Sequence, residues 1–291
     1  MPSTTQSQGV IIITGANRGV GFQIARRYAQ NNYPGTIIVC SRYPDRGIQA
    51  INKLEFEFPK TNFVSFKLDV TDRKNRRQFV EEIKKEYGEV DVLYNNAGVH
   101  QIRIDELMEV NYYAVRDLTN EMLPIMNSKT GRIIVLSSMD SDEAFADCSE
   151  KIRFFLQSNT MKQFELDEMV EEFTNVYMKS ESEGSNQDAV KKLGYSPYNS
   201  GYGMSKVFCR ALCQTLMRRN DHEDFYPNIL FLSCCPGWCK TEMGGDDAPM
   251  SEESGADLPY WLGSSQEDVV TGNNGEYWRD DKRMVKFGEY C

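Results

Sequence analysis

Tyr202 and Lys206 stand four residues apart in the run Y-G-M-S-K. On a helix that spacing puts both side chains on one face. An ammonium beside a phenol favours the phenolate. The pair is therefore expected to draw the phenol below its usual pKa of about 10 and make Tyr202 a proton donor or acceptor near neutral pH. Taken alone, the same letters also describe an ordinary exposed helix face. Their meaning depends on the elements that position them.

The chain opens on V-I-I-I-T-G-A-N-R-G-V-G-F. The apolar run from Val10 to Ile13 suits a buried parallel strand. A helical stretch follows from Phe22 to Gln30, and between them Thr14 to Gly21 read T-G-x-x-x-G-x-G. Gly15 allows a tight turn, while Gly19 and Gly21 let backbone approach a phosphate and let helix pack on strand. The free N–H groups of the helix start then face the anion. Asn17, Arg18 and Val20 lie in the same loop and are expected to touch the ligand with the glycines. Strand, glycine turn and helix in this order read as a dinucleotide site.

Together these motifs resemble the short-chain dehydrogenase/reductase family, in matching order from about Val10 to Met243. Asp69-Val70 ends the third strand pattern, where the family places an adenine contact. Asn95-Asn96-Ala97-Gly98 follows the fourth strand, with Asn96 implied at the cofactor. Asn111 stands in M-E-V-N-Y-Y-A-V, the place of a helix-embedded catalytic Asn. Ser137-Ser138 closes the fifth strand, Pro236-Gly237 closes the sixth, and Thr241 follows. The segments C-C-P-G-W-C-K-T-E-M and E-V-N-Y-Y-A-V-R-D-L, with the long stretch before Tyr202, look like the monomeric NADPH-dependent carbonyl reductases within that family.

The resemblance implies roles. Ser138 would donate a hydrogen bond to the substrate oxygen, where charge develops. Tyr202 would protonate that oxygen. Lys206 would lower the Tyr202 pKa and hold the nicotinamide ribose, and Asn111 would fix a water linking Lys206 to solvent. Pro236, Gly237 and Thr241 would line the cofactor. Trp238 matches a tryptophan of the substrate wall, though a buried core Trp reads equally well. One departure stands out: only 12 residues separate Gly98 from Asn111. The carbonyl reductases have a longer segment there, which puts an inherited substrate range, including glutathione-linked carbonyls, in doubt.

Charge selects the cofactor. An NAD site carries an acid after the second strand. Here T-I-I-V-C-S-R ends in Arg42, with Arg46 four beyond and Arg18 in the glycine loop. A guanidinium fork matches a 2′-phosphate, so NADP(H) is expected, with Asp45 the dissenting neighbour.

Alternating strand and helix patterns predict an α/β fold: a Rossmann-type doubly wound parallel sheet in one domain spanning 1–291. Strands are expected at Val10–Ile13, Thr36–Cys40, Phe63–Leu68, Val90–Tyr94 and Arg132–Leu136, with a last edge strand at Met284–Phe287. Helices are expected at Val20–Asn31, Ile48–Phe58, Arg73–Tyr87 and Asp105–Met126. Between Ser138 and Tyr202 lie 63 residues, a helical insertion at about 140–197 by comparison with shorter family members. In it Leu166, Met169, Val170, Phe173 and Tyr177 follow one helix face, and Ser180 to Asp188 read as polar and mobile. The insertion folds either over the surface that other members use to oligomerise, leaving a monomer, or as a partner-binding arm. The stretch after Thr241 reads as a loop with one helical turn.

Composition narrows the function. A net charge of −10 disfavours nucleic acid, and no stretch is long enough to span a membrane. The first nine residues read as a short disordered lead-in and carry no secretory signal, so a cytoplasmic protein is expected. Two histidines and eight cysteines without a paired C-x-x-C argue against a metal site, a Ser-His-Asp hydrolase and a disulfide scaffold. Cys234 and Cys235 read as small packed groups near the site, with a reactive thiol as the other reading. The leading function is NADPH-dependent reduction of aldehydes and ketones, with a small-molecule carbonyl as partner. The alternatives are an NADP-dependent alcohol dehydrogenase and a non-catalytic NADP-binding redox sensor.

Overall fold

The computed structural model describes residues 9–184, 186–223 and 228–287, so most of the expected lead-in lies outside the described residues. Eight strands form one sheet in the order β3-β2-β1-β4-β5-β6-β7-β8. They are β1 (Val10–Ile13), β2 (Thr36–Ser41), β3 (Asn62–Lys67), β4 (Val92–Asn95), β5 (Arg132–Leu136), β6 (Leu230–Cys234), β7 (Tyr277–Trp278) and β8 (Met284–Val285). The first seven run parallel; β8 turns back antiparallel on β7.

The central strands are buried from end to end, as strands covered on both faces must be. Their side chains alternate between two cores. Ile12, Ile38, Leu93 and Ile133 face one way; Ile11, Ile13, Ile37, Tyr94 and Ile134 face the other. Four helices complete the first half: α1 (Gly19–Gln30), α2 (Pro44–Glu57), α3 (Arg73–Tyr87) and α4 (Ile104–Met108). α2 begins four residues earlier than expected because Pro44, with its fixed φ and no N–H to satisfy, suits the first helical position.

The helix expected over Asp105–Met126 is not continuous. After α4 comes a π turn, Glu109–Tyr113, then α5 (Ala114–Met122) and a 3-10 turn, Leu123–Ile125. The π turn inserts an extra residue at Asn111, and Pro124 cannot donate to a preceding turn.

The insertion holds α6 (Asp140–Asp147), α7 (Glu150–Leu156), α8 (Gln163–Ser182), α9 (Asn186–Leu193) and a short turn, Tyr198–Gly201. Then comes α10 (Tyr202–Glu223). The α8 stripe is buried at Leu166, Val170, Phe173 and Tyr177, with Met169 partly so. Phe173 packs 5.9 Å, ring to ring, from Phe208 of α10, and Tyr112 in the π turn donates to Asp167 at 2.7 Å. The insertion therefore lies along the outer faces of the elements that carry Asn111 and Tyr202. Part of the segment expected to be mobile, up to Ser182, continues α8; Ser185 lies outside the described residues.

Beyond β6 the stretch after Thr241 is a loop with the expected helical turn, α11 (Glu252–Gly255), and two further helices that were not expected follow it: α12 (Asp257–Ser264) and α13 (Asp268–Thr271). α12 forms because Leu258 and Leu262 are buried against the sheet, a tertiary gain that its short local pattern does not announce. β7 was not expected either, at two residues long.

Candidate active site

The crevice opens at the carboxyl ends of β1, β4, β5 and β6, where a doubly wound sheet reverses its winding. Thr14, just past β1, organises one wall. Its hydroxyl donates to Tyr94 O at 3.1 Å and accepts from Asn96 N at 3.0 Å and Ala97 N at 2.9 Å. Asn96 Nδ2 donates back to Thr14 O at 2.7 Å. Gly15 and Gly19 both take left-handed conformations, with φ of 62° and 59°. A Cβ on Gly21 would stand 2.4 Å from Asn96 Nδ2, so only glycine fits there without displacing that side chain. A Cβ on Gly19 would meet Thr241 Cγ2 at 3.6 Å, so the segment after β6 crosses over the glycine loop. Arg18 and Glu242 form an ion pair across that crossing.

Asn17, Arg18 and Arg46 line one open pocket beside this loop, together with Gln49, Lys53 and Glu242. Arg42 lies next to it: Arg42 and Arg46 stack on the Tyr43 ring, at 4.8 Å and 4.9 Å. Gln49 and Lys53 were missed, although their offsets from Arg46 place them on the same face of α2. Val20 begins α1. Asp69 accepts from Thr71 N at 3.1 Å and Thr71 Oγ1 at 2.8 Å, and Val70 O accepts from Arg76 at 2.8 Å. These bonds shape the turn after β3.

On the opposite wall, β5 and α10 hold each other by two reciprocal bonds. Lys206 Nζ donates to Leu136 O, and Ser137 Oγ donates to Lys206 O, each at 2.9 Å. Lys206 Nζ lies 5.5 Å from the centre of the Tyr202 ring. Asn111 is fully buried. Its Oδ1 accepts from Val99 N at 2.9 Å, and its Nδ2 donates to Val99 O at 3.0 Å and Ser205 Oγ at 3.1 Å. A Cβ on Gly98 would come 3.4 Å from Asn111 Oδ1 and 3.5 Å from Lys206 Nζ, so the two side chains converge on a space that the glycine keeps open. Ser138 accepts from Asp140 N at 3.2 Å. The structure thus brings Asn111, Ser138, Tyr202 and Lys206 into one neighbourhood.

The expected depression of the Tyr202 phenol is corrected. Burial pushes it above its ordinary 10.0. Lys206 opposes that shift, Asp140 and Cys235 add to it, and Ser138 opposes it weakly. The ammonium does what the spacing implies, but desolvation outweighs it. The cysteines behind the site are also pushed up by burial, Cys235 to about 11 and Cys234 well above its usual value. All seven described cysteines are buried and free.

Trp238 is half-exposed, which removes the buried-core reading, and its indole N–H donates to Gly244 O at 2.8 Å. Met243 Sδ lies 3.9 Å from the Tyr202 hydroxyl. Gly237 N and Met139 N donate to Cys235 Sγ at 3.2 Å and 3.1 Å, fixing the turn that holds Pro236. His100 and Asn199 also reach this wall, and nothing in their local sequence announced them. Among the described residues no cluster fit to hold a metal ion occurs, and no helix is long and apolar enough to cross a membrane.

Comparison with known proteins bears on the family and the fold. A family model described as short chain dehydrogenase covers residues 9–149. The chain is 30% identical over 287 residues to carbonyl reductase (NADPH) 1 of Mus musculus, covering 96% of this chain and 98% of that one. It is 32% identical over 262 residues to carbonyl reductase (NADPH) 3 of Homo sapiens, covering 87% and 90%. Among solved structures, salutaridine reductase from Papaver somniferum superposes with a TM-score of 0.75 at 21% identity, covering 94% of this chain and 99% of that one. Menthone neomenthol reductase from Mentha piperita superposes at 0.73 and 22% identity, with the same coverage. At that identity the two structures speak for the fold alone.

Proposed function

The chain belongs to the short-chain dehydrogenase family, and from that premise we propose that it is an NADPH-dependent reductase of aldehyde and ketone carbonyls. The observation that carries the reading is the pairing of a glycine loop cradle with a buried Tyr202–Lys206 pair across one crevice. NADP(H) fits the residues present. Gly15 and Gly19 give backbone access to a pyrophosphate, a side chain at Gly21 would strike Asn96, and Arg18, Arg46 and Lys53 line a pocket suited to a 2′-phosphate.

When bound, NADPH supplies the hydride. The protein's own residues do the rest. Ser138 Oγ donates to the substrate oxygen, and Tyr202 transfers its phenolic proton to that oxygen as negative charge forms there. Lys206 stabilises the phenolate left behind, and Asn111 with Gly98 keeps the space through which a water returns the proton. Asp69, Val70, Asn96, Pro236, Gly237 and Thr241 would line the bound cofactor. Trp238 walls the substrate side. Burial raises the Tyr202 phenol above its ordinary value and so favours its acid form, the one that reduction uses.

Loss of NADPH absorbance against a panel of aldehydes and ketones tests the reading. Turnover is expected with NADPH well above that with NADH. Tight NADPH binding without turnover of any carbonyl would favour the non-catalytic sensor. The same reading takes the chain as one domain and a cytoplasmic monomer; the insertion lying along the outer faces of α10 and the π turn supports the monomer alone. Light scattering at micromolar concentration checks the assembly: a stable dimer or tetramer would restore the partner-arm reading.

A further inference from the structure

One side of the cleft carries a feature the mechanism above does not use. Asn199, Ser200 and Gly201 are three consecutive residues in the left-handed region, with φ of 50°, 51° and 81°, immediately before Tyr202. Two of them have a side chain, so the turn is strained and needs compensating contacts. Asn199 supplies them: Nδ2 donates to Asp140 Oδ2 at 2.5 Å, and Oδ1 meets His100 Nε2 at 3.1 Å. The His100 ring in turn packs edge-on against the Tyr202 ring, with centroids 4.7 Å apart.

This chain fixes a tautomer. A carboxylate only accepts, so the Asn199 atom facing Asp140 is the amide nitrogen. The atom facing His100 is then the amide oxygen, which also only accepts. Neutral His100 therefore carries its proton on Nε2, leaving Nδ1 as a lone-pair acceptor on the far side of the ring. Among the described residues Nδ1 has no hydrogen-bond partner. The imidazole stands beside the ring whose hydroxyl is to meet the substrate oxygen, with the two ring centroids 4.7 Å apart. On the opposite side of the cleft the Asp280 carboxylate stands near Gly237, where an added Cβ would meet its Oδ2 at 3.2 Å. Trp238 has spent its N–H on Gly244, and Met139 and Met243 present apolar side chains.

Resting on the carbonyl-reductase reading, we propose that His100 is a specificity-determining residue, presenting Nδ1 to substrates that carry a hydroxyl donor on the carbon next to the carbonyl. Asp140 and Asn199 are its positioning residues. An unpaired acceptor beside a plain ketone is a penalty, whereas a hydroxyl satisfies it.

Two measurements decide the matter. The first compares kcat/KM for α-hydroxyacetophenone and acetophenone with NADPH. The wild type is expected to prefer the hydroxyl compound about tenfold, the net worth of one hydrogen bond. His100→Phe keeps an aromatic ring and removes both nitrogens, so its ratio should fall toward one. The ratio cancels any uniform loss from disturbed folding or Tyr202 placement. Asn199→Gly, which suits the positive φ while freeing the imidazole, should fall in between. The second measurement is nitrogen NMR of histidine-labelled protein, which has two imidazoles, His100 and His222, and His222→Gln assigns them. His100 should be protonated on Nε2 in the wild type and a tautomer mixture in Asn199→Gly. Equal substrate ratios in wild type and His100→Phe, or a proton on Nδ1, overturns the proposal. If the wild type reduces neither ketone nor any other carbonyl, the functional reading itself fails and takes the substrate preference with it, whatever the tautomer.

Discussion

The two walls of the crevice are built by different means. The glycine-loop wall is made of backbone: positive-φ glycines, a helix start and one hydroxyl, Thr14, that ties the ends of β1 and β4 together. The Tyr202 wall is made of side chains delivered by four separate segments: the π turn, the end of β5, the start of α10 and the stretch after β6. Backbone sites tolerate little change at a few positions and are indifferent elsewhere. Side-chain sites can be retuned piece by piece. The first wall should therefore serve any dinucleotide enzyme, while the second decides the chemistry and the substrate.

The largest expected effect breaks the second wall and spares the first. Tyr202→Phe keeps the ring and removes the proton, so kcat should fall at least about a hundredfold. NADPH affinity, read by fluorescence titration, should move by less than about threefold; near-normal turnover would remove Tyr202 from the mechanism. The pH profile of the wild type sharpens the point. With burial raising the phenol, its acid form persists through neutral pH, so the loss of reduction with rising pH should be centred above the ordinary phenol value rather than near neutrality. A fall centred near pH 7 would mean that Lys206 outweighs desolvation after all.

Gly21→Ala does the reverse. Its Cβ must displace Asn96, an overpacking cost of about 1–3 kcal/mol that should fall on cofactor binding. KM for NADPH should rise roughly tenfold while kcat at saturation stays within a few-fold; an unchanged KM would place the dinucleotide elsewhere. A smaller effect separates the arginines. Arg46 lines the pocket and Arg42 stands beside it. Arg46→Asp should cut the NADPH-to-NADH preference by roughly tenfold and Arg42→Asp by less, both effects shrinking with salt. Equal losses would show that Arg42 swings in. The smallest expected effect is at Cys235. With its thiol pushed to about 11, only about one molecule in ten thousand is a thiolate at neutral pH. Iodoacetamide should leave turnover untouched over the time of an assay, and rapid inactivation would reinstate a reactive thiol.

The contrast between the walls also explains what could be read from the letters. Val10–Ile13 and Arg132–Leu136 were legible because doubly covered strands need unbroken apolar runs. The glycine loop was legible because its residues are constrained by φ and by close approach. The direction of the Tyr202 shift was misread because Lys206 is four letters away and visible, whereas the burial that outweighs it comes from the whole fold. The π turn at Asn111 escaped because hydrophobic periodicity runs through it without a break. α12 and β7 escaped because they are short and owe their existence to neighbours far along the chain. Nothing local joins His100 to Asn199 and Asp140, which meet only once the insertion has folded.

The two edges of the sheet carry a separate consequence. A long parallel sheet ends in unpaired backbone, which can recruit strands from other molecules. Here one edge is finished by β7 and β8, two residues each, with the last strand reversed. The other edge, β3, buries only Phe63 fully and carries exposed Asn62 and Lys67 at its ends. Neither offers a flat apolar template. The hairpin therefore acts as a stop against fibrous association, and a mutation that lengthened it would be felt in solubility.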